Sequence, residues 1–125
     1  MPYSTAARNA MLDALGAVAG FVSLHTADPG TTGANEVSGG SYARKAASYA
    51  TASGSSKPSS NAQAFPVPPA TTVSHFGLWS AASGGVFYGG GPLVNDQGVP
   101  TPETFNGAGT YTMAAGQLTL ALAAT

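Results

Sequence analysis

The amino-acid sequence predicts an all-β fold: a small antiparallel β-sandwich or barrel-like domain with one short N-terminal helix. Three observations carry this. Runs of β-branched and aromatic residues recur between turn signals roughly every ten residues, the rhythm of sandwiches and barrels. In the closing run "QLTLALA" (117–123), Leu118, Leu120 and Leu122 alternate with Thr119 and Ala121, the period of a half-buried strand. Helical spacing is confined to the N-terminus, where Ala7, Met11 and Leu15 recur at intervals of four with Leu12 beside them.

Each element follows in turn. Ser4 or Thr5 caps a helix over 4–15, and Gly16 is placed to end it. The β region is expected over 21–123. "FVSLHT" (21–26) reads as its first strand, closed by Asp28-Pro29-Gly30, a type II turn pattern. After a loop rich in glycine and threonine, "SYARKAASYA" (41–50) reads as a second strand. "TASGSSKPSS" (51–60) reads as a flexible connector of low complexity. "AQAFPVPP" (62–69) is extended, its prolines confining it to an edge or an irregular strand. "TVSHFGLWS" (72–80) and "VFYGGG" (86–91) form a hairpin around the "AASGG" turn (81–85). In the first of these strands Val73, His75, Gly77 and Trp79 point one way and Phe76 and Leu78 the other. "PLVNDQGVPTPE" (92–103) is a loop, Asn106-Gly107 a further turn, and "TYTM" (110–113) a strand before the closing run.

Length and composition narrow the function classes. A chain of 125 residues suits a single domain over 1–125. With no cysteine it has no disulfide, thiolate zinc site or cysteine nucleophile. Only 7% of residues are charged and the net charge is −1, far below the usual quarter or so of charged residues in a soluble domain. Four basic residues cannot displace many counterions from a phosphate backbone, so no nucleic-acid partner is expected. They supply no docking on anionic lipid either. No apolar run approaches the roughly 18 residues of a membrane span, and Arg8, Asn9 and Asp13 break the N-terminal stretch that a secretion signal would need. The expectation is a soluble protein made in a cytoplasm. So little charge fits a subunit whose faces are covered in an assembly.

The stretch "SLHTADPGTTGANEVSGGSYARKA" (23–46) gathers His25, Asp28, Glu36, Ser41, Arg44 and Lys45 among glycines. "GGSYA" (39–43) stands one residue from the G-x-S-x-G nucleophile elbow, but no βαβ frame surrounds it, and His25 and His75 both sit in strand patterns. His25, Asp28 and Glu36 match no EF-hand spacing and no helical zinc pair, while Asp28 suits its own Pro-Gly turn. No two carboxylates are aligned for glycoside hydrolysis, and no glycine pattern makes a phosphate cradle. Tyr42, Tyr49, Phe76, Trp79, Phe87 and Tyr88 offer a sugar-stacking platform, although aromatics at strand spacing are more often packing residues. The residues therefore assign no catalytic group, no cofactor and no metal, and the stretch reads as a long ordered loop between strands.

The blocks "VSLHTADPGTTGANEVSGGSYARK" (22–45), "TVSHFGLWSAASGGVFYGGGPL" (72–93) and "TYTMAAGQLTLAL" (110–122), with the N-terminal "STAARNAMLDAL" (4–15), resemble a family of small tailed-phage structural proteins, commonly labelled tail fibre or minor tail protein. The resemblance implies a non-enzymatic virion component. A fibre shaft needs repeats or a coiled coil, and this chain has neither. The first reading is thus a capsid decoration (cement) protein on the particle exterior, bound to the major capsid protein and stabilising the shell through protein–protein contacts. The alternative is a tail fibre, minor tail or baseplate module among tail proteins, with host-surface carbohydrate as a further ligand. A homo-oligomer is expected in both cases, a trimer favoured. The interface residues expected are Arg8, Met11, Asp28, Glu36, Arg44, Lys45 and Trp79, with the 27–40 loop as the main contact element.

Overall fold

A computed structural model describes residues 2–95 and 97–122. Ser4 opens the helix from an extended backbone, its hydroxyl accepting the Ala7 N–H at 3.1 Å. The helix, α1 (Thr5–Val18), runs past the expected end at 15 and carries Gly16 inside it. Gly16 is there for close approach, not for stopping: a Cβ at this position would collide with the Lys57 side chain. The apolar face is also rotated from the one expected. Leu12 is buried and Leu15 packs against the core, while Met11 is exposed.

The centre of the fold is a four-stranded antiparallel sheet. Its order is β2 (Lys45–Ala46), β1 (Phe21–His25), β6 (His75–Trp79) and β7 (Phe87–Pro92). Phe21 stands opposite Trp79, Ser23 opposite Gly77 and His25 opposite His75. Three antiparallel ribbons complete the β structure: β3 (Ser56–Pro58) with β10 (Thr119–Ala121), β4 (Gln63–Val67) with β9 (Gly109–Met113), and β5 (Thr71–Val73) with β8 (Glu103–Phe105). The all-β class with a single N-terminal helix is as expected.

The core gathers one face of β1, Val22 and Leu24, with Leu12, Phe65, Val67, Val73, Leu78, Leu93, Met113, Leu118 and Leu120. Leu118 and Leu120 point inward as their alternation predicts, whereas Leu122 is exposed. The other face of β1 is buried too, and this positions the site. Ser23 and His25 have no exposed surface because the loop after β1 folds back over them.

Three sequence expectations are corrected. The strand expected over 41–50 shrinks to Lys45–Ala46, because Tyr42 turns its side chain back onto the edge of β1 and donates no backbone pairing there. The connector expected over 51–60 contains β3, reached through a tight turn in which Gly54 (φ 58°) and Ser55 (φ 67°) both take positive φ, the pattern of a type I′ hairpin. The strand expected over 72–80 changes sheets at Ser74, which divides β5 from β6 while its N–H still donates to the His25 carbonyl at 2.9 Å. Val73 is accordingly a core residue, apart from the His75, Gly77 and Trp79 row. The proline-bearing β4 lies on an edge as expected, hydrogen-bonded only to β9. The far end of the expected β region, residue 123, lies outside the described residues.

Candidate functional site

β1, β6 and β7 present Ser23, His25, Gly77, Trp79 and Phe87 on one sheet face. Gly77 makes room for the cluster: a Cβ there would lie 2.6 Å from both His25 Nε2 and Ser23 Oγ. Trp79 Nε1 donates to Ser23 Oγ at 2.8 Å, Ser23 Oγ meets His25 Nε2 at 2.7 Å, and His25 Nδ1 meets the Ala34 carbonyl at 2.7 Å. Phe87 packs edge-on against Trp79, with ring centroids 5.1 Å apart.

The loop from Thr26 to Arg44 closes over this face because its backbone returns along β1. Thr26 N–H donates to the Asn35 carbonyl at 2.9 Å and Val37 N–H to the Leu24 carbonyl at 2.9 Å, with Glu36 bridged to His25. At its tip the Gly33 and Ala34 N–H groups both donate to the Pro29 carbonyl, at 3.0 and 3.1 Å. Gly33 (φ 78°) lies flat on the aromatic pair, where a Cβ would meet Trp79 at 2.5 Å. Asp28 accepts the Gly30 N–H at 2.8 Å, so it holds its own turn.

A second set of contacts fastens the return limb. Arg44 donates in a fork to Glu36, Nε to Oε2 and Nη2 to Oε1, both at 3.0 Å. Its Nη1 donates to the Ala81 and Gly84 carbonyls at 3.0 and 2.8 Å, and its guanidinium lies 3.6 Å over the Trp79 ring. Tyr42 donates to Glu36 Oε2 at 2.9 Å and accepts the Leu24 N–H at 2.9 Å. Burial works to raise Glu36, but the hydrogen bonds from Arg44 and Tyr42 prevail and hold its carboxyl below the usual range. Burial pushes His25 below the usual imidazole range, against the opposing pull of the Ala34 contact and of Glu36. Burial likewise raises Tyr42 far above an ordinary phenol.

Of the residues singled out from sequence, Glu36, Arg44 and Trp79 converge here, Arg44 touching both of the others. Asp28 sits at the base of the same loop. Lys45 lies in β2 opposite Val22. Arg8 and Met11 are elsewhere, on α1. Arg8 donates to Ser55 Oγ at 2.6 Å, Asn9 accepts the Ser55 N–H at 2.9 Å, and Asp13 accepts from both Lys57 Nζ (2.6 Å) and the Ala52 N–H (2.9 Å). These polar side chains dock the helix on the β3 hairpin. Sequence reasoning missed the parts played by Ser23, Gly33, Tyr42 and Gly77. One signal was present: Ser23 and His25 alternate with Val22 and Leu24, which marks a polar second face on β1.

The proposed aromatic platform is divided. Trp79 is covered by Arg44 and Gly33, Tyr42 stacks on Phe65 at 6.4 Å, and Tyr49 donates to the Ala19 carbonyl at 2.9 Å. A separate groove of about 670 Å³ is lined by Phe76, Gly91, Val94, Asn95 and Gln117. Its amides are committed to the fold: Gln117 donates to the Val94 carbonyl at 2.8 Å, and Asn95 accepts the Gln97 and Val99 N–H groups at 2.9 and 3.1 Å. Among the described residues no three His, Asp or Glu side chains are grouped to hold a metal ion.

Fold and site together define a small antiparallel β module whose few charged groups fasten a long loop to the sheet. The chain belongs to the family described as podophage GP4 fiber I protein gp80, whose family model matches residues 2–121. It is accordingly a phage virion component of tail-fibre type, and the match favours the fibre alternative over capsid decoration. No curated protein matches the chain. No described helix is long and apolar enough to cross a membrane.

Proposed function

We propose that the chain is a non-enzymatic structural module of the phage tail-fibre apparatus. It acts through contacts with other tail proteins and with copies of itself, a trimer being the favoured assembly. The family match over 2–121 carries this reading. Two features support it. The polar side chains with catalytic potential, Ser23, His25, Glu36 and Tyr42, are buried or half-buried and bonded to one another or to backbone. The loop in turn offers an outward row, with Thr31, Thr32, Ala34 and Asn35 exposed.

Counting copies per purified particle against the major capsid protein, by quantitative mass spectrometry, tests the location. Small multiples of three or six are expected. Hundreds of copies would overturn the fibre reading in favour of shell decoration. Thr31→Glu with Thr32→Glu then tests the loop as contact element, since it alters the outward row without touching the residues beneath. Loss of particle association with an unchanged melting profile is the expected outcome.

A further inference from the structure

The hydrogen bonds beneath the loop have fixed directions. Trp79 Nε1 can only donate and the Ala34 carbonyl can only accept. The order is therefore Trp79 N–H to Ser23 Oγ, Ser23 O–H to His25 Nε2, and His25 Nδ1–H to Ala34 O. Only a neutral imidazole fits it. A proton added at Nε2 makes Ser23 Oγ face two donors and leaves its own hydrogen without an acceptor. It also places a positive charge where His25 has no exposed surface.

The far face of β1 is packed core, and β6 and β7 flank the site, paired with a register shift between Leu78 and Trp79. The 26–35 segment is the cover whose release opens no pairing between the strands of the sheet and breaks only the Thr26–Asn35 half of the His25–Glu36 bridge. It is held by the buried Pro29 ring against Gly90 of β7, the Gly33 contact on Trp79 and Phe87, the Ala34 carbonyl on His25, and the Thr26–Asn35 backbone bond. The charged and titratable groups facing His25 are Glu36 and Arg44 from the return limb and His75 opposite it on β6, while β7 contributes the uncharged Phe87 ring. Glu36 favours the added proton; Arg44 and His75 oppose it.

We propose that residues 26–35 form a pH-operated cover over the Trp79–Phe87 pair, released when His25 takes up its second ring proton. On release Gly33 leaves the rings and the surface it covered on Trp79 and Phe87 becomes exposed, while Arg44 stays over the Trp79 ring. The Glu36, Arg44 and Tyr42 contacts stay closed and act as the hinge, because Glu36 keeps its charge to lower pH than an ordinary carboxylate. Burial of His25 sets the opening below the ordinary imidazole value of about 6.5.

Trp79 is the chain's one tryptophan and reports the event directly. Acrylamide quenching of its fluorescence is to be followed from pH 8 to pH 4.5 beside far-UV circular dichroism. Quenching is expected to rise by about twofold or more as the cover opens locally, before any loss of dichroism. His25→Gln abolishes the step and His75→Gln keeps it. A rise that coincides with loss of dichroism, or one that persists in His25→Gln, overturns the proposal. Should His25→Gln fail to fold, hydrogen exchange of the wild type decides. After correction for intrinsic rates, the Thr26 amide must lose protection in acid while β1 and β6 amides keep theirs. Uniform behaviour of the two overturns it.

Discussion

Ser23 is the hinge of the buried chemistry, since one hydroxyl satisfies both an indole donor and an imidazole acceptor. Ser23→Ala leaves both groups unpaired next to the core. The expected loss is about 1–3 kcal/mol, the usual cost of an unmet buried polar group, measured by denaturant unfolding. Gly77→Ala tests the opposite fault. Its Cβ would sit 2.6 Å from Ser23 Oγ and His25 Nε2, so the expected destabilisation of about 1–3 kcal/mol comes from overpacking, with the strand dihedrals unchanged. The sequence marks Ser23 only as part of a polar second face of β1, and it does not show the part of Gly77. A serine in a strand is ordinarily a solvated residue, and a glycine between Phe76 and Leu78 looks like a bulge. What reveals them is the register that sets Ser23 opposite Gly77, a relation across more than fifty residues of chain.

At the scale of the element, the loop from Thr26 to Arg44 is ordered by its ends and by Arg44 in particular. Arg44→Lys keeps the charge but loses the planar fork to Glu36, the reach to both carbonyls of the 81–84 turn, and the flat contact with Trp79. About 2 kcal/mol of stability is expected to go, the scale of a charged hydrogen bond, read from the unfolding midpoint together with greater acrylamide access to Trp79. The legibility of the elements follows the range of the forces that make them. β7, β9 and the Asn106-Gly107 turn are marked by local alternation and turn residues and form where expected, whereas the strand expected before β7 holds only from His75 on. β3 is hidden because its pattern is Ser, Lys and Pro. The cause of its strand, the burial of Lys57 between β10 and Asp13 of the helix, comes from distant chain. The 41–50 segment fails in the reverse sense, since its tyrosines are spent on side-chain contacts. Trp79 was legible as a residue of interest, but not as the partner of Arg44.

For the molecule as a whole, the titrating groups limit stability at both ends of the pH scale. His25 is depressed by burial, so the unfolded chain takes up its proton first. That contribution is complete above about 6.5 and is lost as pH falls below it. Glu36 and Asp13 are also depressed, Asp13 chiefly through its hydrogen bond from Lys57, and their contributions fade further down, below the ordinary carboxylate values. At the other end, burial raises Tyr49 to about 12 and raises Tyr42 as well, so stability falls as pH climbs past about 10. The denaturation midpoint is expected to form a plateau between about pH 7 and pH 10, with His25→Gln flattening the upper part of the acid slope.

The strand order carries a consequence in time. β1 is made early, yet its partner β6 begins at His75, and β3 waits for β10 near the other end of the chain. On a ribosome the helix and β1 emerge with only the two-residue β2 soon to follow as a partner, and the central sheet cannot close until β7 has left the exit tunnel. Such distant pairing is intrinsically slow. During that interval β1 shows both of its faces, Val22 and Leu24 on one and Ser23 and His25 on the other. A nascent chain with so few charges to keep it apart from its neighbours is most prone to aggregate at this stage, and a polysome of them is where chaperones have the most to do.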